Sequence, residues 1–120
     1  MNPIFKIFST YILILFFLLI YQTSFCQITV KYFNAEWNNA NAVDWCHTDK
    51  KGLTDCKVYT YDIGKDSESQ KEYAIVVVPT IIIFNGKKEV KRYQADVSFK
   101  MVATKKDIQD YIDELLMGDY

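Results

Sequence analysis

Ala35-Glu36-Trp37-Asn38-Asn39-Ala40-Asn41 and, further along, Val78-Pro79-Thr80 are the two stretches that decide the fold. Just upstream of the first, residues 28–35 carry β-branched and aromatic side chains on both faces, the pattern of a central strand covered on each side. Asn38 or Asn39 then offers an N-cap for a short helix through Ala42, Val43 and Trp45, ending before Asp49-Lys50-Lys51-Gly52. Residues 57–63 read as a second strand, stopped by Gly64, and Ser67 with Gln70 forms a capping box for a short helix running towards Tyr73 and Ala74. Past Pro79, the run Thr80-Ile81-Ile82-Ile83-Phe84 is apolar throughout, as in a fully buried strand. Asn85-Gly86 signals a tight hairpin, so residues 89–93 should return antiparallel. Thr104 with Asp107 opens a last helix, whose core face is the stripe Ile108, Tyr111, Ile112, Leu115 and Leu116.

The predicted order is β-α-β-α-β-β-α, an α/β domain built on a four-stranded mixed sheet. An A-E-W tripeptide closing a strand, a helix opening next, a later V-P-T before an apolar strand and N-G after it are together the frame of a thioredoxin, and residues 28–116 resemble one. Thioredoxins place C-x-x-C at the start of that first helix; here Asn38 stands for the nucleophilic cysteine and Asn41 for the resolving one. The chemistry needs a thiolate at a helix N-terminus and a second thiol to resolve the mixed disulfide, and asparagine has no ionisable sulfur. The acid that the family buries beneath its cysteines corresponds to Tyr32.

What the resemblance retains is Pro79. It implies a cis Val78-Pro79 bond and a groove in which backbone beside the proline pairs with an extended segment of a protein or peptide partner, by β-augmentation. Trp37, Asn38, Val78, Pro79, Gln94 and Phe99 are the expected binding residues; Gln94-Ala95 replaces the family's glycine-alanine pair beside the groove. Extra residues 96–102 follow, and Val97, Phe99 and Met101 are expected to fold over or beside the Pro79 face, either occluding the groove or reshaping it. Thioredoxins usually begin with a further strand and helix; here the sequence starts almost at the strand of residues 28–35, so the strand holding Tyr59 is expected to be an edge unless something covers it.

Residues 1–26 read as a targeting segment, with one cation at Lys6, an apolar run from Tyr11 to Tyr21 and then Gln22-Thr23-Ser24-Phe25-Cys26. That run is a signal-peptide h-region, shorter than the ~20 apolar residues of a spanning helix, and cleavage is expected before Gln27. Retention as an N-terminal membrane anchor, or acylation at Cys26, are the alternatives; each puts residues 27–120 outside the cytoplasm, in the periplasm or cell envelope. Cleavage leaves about 94 residues, one small domain. Without Lys6 the charge count is 13 Lys and Arg against 15 Asp and Glu, which gives no basic footprint for nucleic acid. No cofactor is implied.

Of three cysteines, Cys46 and Cys56 remain in the exported part, and an exported pair is expected to form a disulfide. Trp45-Cys46-His47-Thr48 superficially resembles a W-C-x-x site, so a divergent thiol-disulfide oxidoreductase using Cys46 and Cys56 is the enzymatic alternative to a non-catalytic binding module or envelope-complex subunit. Cys46, His47 and Cys56 lack a fourth ligand and the paired spacing of a zinc site. His47 is expected at an exposed helix end.

Overall fold

The computed structural model describes residues 9–14, 27–47 and 51–118. Residues 9–14 are helical and exposed, and no helix among the described residues is long and apolar enough to cross a membrane. The cleavage point before Gln27 and most of the targeting segment lie outside the described residues.

Four strands form one sheet in the order β2-β1-β3-β4: β1 (Ile28–Asn34), β2 (Lys57–Asp62), β3 (Thr80–Asn85) and β4 (Lys88–Gln94). β1 runs parallel to β2 and antiparallel to β3, which pairs antiparallel with β4, so the sheet is mixed as expected. Helix α1 (Ser67–Glu72) lies between β2 and β3 in the chain, and α2 (Lys105–Met117) closes it. The hairpin turns at Gly86-Lys87, with Asn85 opposite Lys88, one residue later than Asn85-Gly86 suggested. Gly86 sits at φ 66°, a conformation that favours glycine over residues bearing a Cβ.

Strand alternation sorts the core into two layers. On one face Ile28, Val30, Tyr32, Ile81 and Ile83 pack with Ile108 and Ile112 of α2. On the other, Phe33, Ile82 and Phe84 pack with Ala35, Ile75 and Val78. β3 is buried on both faces, and each fully buried isoleucine contributes roughly 1.5–3 kcal/mol over an exposed one. Of the expected α2 stripe, Ile108 and Ile112 are buried, Tyr111 and Leu115 half-buried, and Leu116 exposed.

Three local expectations are corrected. The helix predicted from Asn38 through Trp45 is a six-residue 3-10 turn, Glu36–Asn41, and the chain turns extended at Ala42 (φ −62°, ψ 143°). The Tyr32 hydroxyl accepts a hydrogen bond from the Val43 N–H at 2.9 Å, and so holds the chain out of a following helical turn. Neither asparagine caps this turn; Ala35 is at the N-cap with no side-chain bond. Helix α1 is capped by Asp66, which accepts from the Ser69 N–H at 3.1 Å, rather than by Ser67, and Ala74 at φ 51° ends it in the left-handed region. His47 is half-buried instead of exposed: its carbonyl accepts from the Leu53 N–H at 2.7 Å. Gly52 passes so near that a Cβ would stand 2.0 Å from that oxygen.

Candidate functional site

The C-terminal ends of β1, β2 and β4 and the N-terminal end of β3 share one edge of the sheet, because Phe33 pairs with Thr80 and Thr80 with Gln94. Three connections therefore meet there: the 3-10 turn, residues 75–79 and residues 95–103. The Val78-Pro79 peptide between them is cis. Thr80 donates from its hydroxyl to the Val77 carbonyl at 2.7 Å, and the Ala95 N–H donates to the Pro79 carbonyl at 3.0 Å, which fixes the proline against β4.

Asn38 is the hub. Its side chain is buried, with 4% of the residue exposed. Nδ2 donates to Asn34 Oδ1 at 3.1 Å, the Phe99 carbonyl at 3.2 Å and the Val78 carbonyl at 3.4 Å, while Oδ1 accepts from Asn41 Nδ2 at 2.9 Å. Both polar atoms of the amide are engaged, so the two asparagines do not cap a helix but tie β1, the cis-proline segment and the 95–103 loop together.

The 95–103 loop reaches the site through Phe99. Its ring meets Trp37 edge-on, centroids 5.3 Å apart at 90°, and its backbone is in the left-handed region at φ 62°. A bulky residue is held there only by surrounding contacts. Asp96 supplies them: its Oδ1 accepts from the Ser98 N–H and hydroxyl and from the Lys100 N–H at 2.9, 2.7 and 3.1 Å, and those bonds keep its carboxyl below the usual range. Met101 packs against the core while Val97 is fully exposed, so of the three apolar residues expected to cover the Pro79 face only Phe99 lies directly on the site. Trp37, Asn38, Asn41, Val78, Pro79 and Phe99 are brought together, and Gln94 stands exposed beside them.

Cys46 and Cys56 are elsewhere, among Val30, Tyr32, Leu53 and Ile108 on the α2 side of the sheet. The structure holds them as two free thiols. Burial pushes the Cys46 thiol up to about 12, with neighbouring Cys56 adding to the rise, and pushes Cys56 up to about 11, with Asp55 adding. A reactive thiol is depressed, the opposite direction. Among the described residues no three His, Cys, Asp or Glu side chains cluster to hold a metal ion.

Sequence reasoning missed Asn34, whose side chain completes the Asn38 network, and a second cluster around Lys31. Lys31 Nζ donates to the Tyr73 hydroxyl at 2.5 Å and lies 4.5 and 4.8 Å from the Tyr73 and Phe84 ring centres. The odd-numbered row Thr29, Lys31, Phe33 beside Lys57, Tyr59, Tyr61 was the available signal, since strand alternation puts all six on one face.

Comparison with solved structures finds thioredoxins among those that match. A malaria-parasite thioredoxin-2, a component of the protein secretion machinery, matches with TM-score 0.55 at 17% identity over 74% of this chain and 84% of that one. A mutant thioredoxin from Halobacterium salinarum matches with TM-score 0.55 at 17% identity, covering 77% of each chain. The fold is that of thioredoxin. The germline-specific thioredoxin Deadhead from Drosophila melanogaster shares it with TM-score 0.50 at 14% identity, over 83% of this chain and 90% of that one. No family model and no curated protein sequence matches the chain. Within the thioredoxin fold, the buried, hydrogen-bonded Asn38 occupies the turn that follows β1, beside the cis proline.

Proposed function

We propose that residues 27–120 are an exported, non-redox thioredoxin-fold domain that works by holding a protein or extended peptide at the Trp37–Phe99 end of the sheet, as a binding module or a subunit of an envelope assembly. The observation that carries this reading is the exposed aromatic pair at that end: Trp37 is 66% and Phe99 42% exposed, and they prop each other edge-on above the buried Asn38 network. Large, partly exposed rings set on a rigid support are the usual anchors of protein interfaces. Val76 and Val97, both exposed, lie in the connections at the same end and widen the apolar surface. The Val78 carbonyl already accepts from Asn38, which favours side-chain anchoring over main-chain pairing as the source of affinity.

Absence of redox work is supported by two features: Asn38 and Asn41 carry no thiol, and the remaining thiols are raised by burial. The test is a display screen of extended peptides with the chain, run beside an insulin-reduction assay. Wild type should enrich apolar peptides that Trp37→Ala loses, with no insulin turnover by either. Turnover that disappears in Cys46→Ser would replace this reading with the oxidoreductase alternative. Export is checked by the intact mass of the secreted chain, which should begin at Gln27 if the targeting segment is cleaved.

A further inference from the structure

The sheet has two outer strands, and they are built differently. β4 carries Lys88, Glu89, Lys91 and Arg92, and its register against β3 shifts between Ile83 and Phe84. Edge charges and an irregularity of this kind keep a strand from pairing with another chain. β2 is Lys57-Val58-Tyr59-Thr60-Tyr61-Asp62, in unbroken register with β1 and free of glycine and proline. Its four inner residues are all β-branched or aromatic, the types that favour strand pairing. Among the described residues, no main-chain group of residues 57–61 is bonded on the side away from β1. Beside this edge lies a cleft of about 450 Å³ lined by Lys31, Tyr59, Tyr61, Tyr73 and Phe84 among others.

We infer that β2 is a self-association edge: two copies of the chain pair β2 to β2, antiparallel, into one continuous sheet. The occupant follows from charge. β2 has a cation at its first residue and an anion at its last, and an antiparallel second copy keeps the two Lys57 ammoniums at opposite ends of the seam, and likewise the two Asp62 carboxylates. A parallel mate would stack like on like. A two-fold axis perpendicular to the sheet keeps each face on its own side, so facing residues must be of the same parity. The register that centres on the exposed aromatic residue puts Tyr59, 48% exposed, opposite its counterpart, and Lys57 opposite Tyr61 of the second copy. That pairing sets an ammonium against an aromatic ring twice, the contact Lys31 already makes with Tyr73 inside the cleft. The two aromatic clefts then merge into one trough across the axis. This surface is separate from the Trp37–Phe99 end and does not depend on that reading.

Sedimentation velocity of the full chain from low to high micromolar concentration tests the inference. The mass should rise from one chain towards two, and amide exchange across Val58 to Tyr61 should slow over the same range. Tyr59→Lys and Tyr59→Glu should each remain single chains with unchanged far-UV circular dichroism. Mixing the two should restore the two-chain species, because opposite charges then face each other across the axis. A one-chain mass and concentration-independent exchange for the wild type would overturn the inference. So would association unmoved by either variant, or folded variants whose mixture fails to associate.

Discussion

At the residue scale the molecule turns on Asn38. Its amide is buried and holds the carbonyls of Val78 and Phe99, two groups left without that donor if the side chain is truncated. Asn38→Ala should therefore cost about 2 kcal/mol in urea unfolding, within the usual range for orphaning buried polar groups. Restoring the thiols is a different matter. A cysteine pair introduced by N38C with N41C would sit in a six-residue 3-10 turn that leads into extended chain, without the long helix whose dipole lowers a thiol. The introduced thiol at 38, buried as Asn38 is, should titrate above the ordinary value of about 8.5, measured by thiolate absorbance against pH, and a depressed value would contradict this account. The frame was legible from the sequence because A-E-W and V-P-T are local signatures. The role of Asn38 was not, since its partners Val78 and Phe99 lie far along the chain and nothing local distinguishes a buried tie from a helix cap.

At the element scale, the strands and the last helix follow local rules and were legible to within a residue or two. Thr104 and Asp107 form a reciprocal capping box, the Asp107 N–H donating to Thr104 Oγ1 at 3.2 Å and the Thr104 N–H to Asp107 Oδ2 at 2.9 Å. Thr104→Ala should cost roughly 1 kcal/mol in thermal or urea unfolding, a cap-sized loss, and should leave the fold intact. The helix expected after Asn38 does not form because Tyr32, on the preceding strand β1, captures the Val43 N–H. Ser67 was mistaken for the cap of α1 because Asp66, one residue earlier, has the same chemistry and wins the bond to Ser69. The 51–56 connection, unreadable as an element, is fixed by α2: Gln109 accepts from the Thr54 N–H at 2.9 Å and donates to its carbonyl at 3.1 Å.

On the scale of the whole molecule, alkaline pH should undo the fold gradually. Cys46 is pushed up to about 12, Cys56 to about 11 and Tyr93 to about 12, burial being the leading cause in each. All three are raised, so the unfolded chain loses these protons first. The stability they guard is complete below their ordinary values, about 8.5 for the thiols and 10 for the tyrosine, and drains away as pH climbs towards 11 to 12. Urea midpoints should fall steadily above about pH 9, and Cys46→Ala should flatten part of that slope. The insertion of β1 between β2 and β3 has a kinetic consequence. The β3–β4 hairpin can close locally around Gly86, whereas β1 must find partners remote in sequence on both sides before the sheet exists. Insertion of the first strand between β2 and β3 is thus expected as a late step of folding. Lesions at the Gly86 turn should slow refolding, while lesions in β2 should chiefly hasten unfolding.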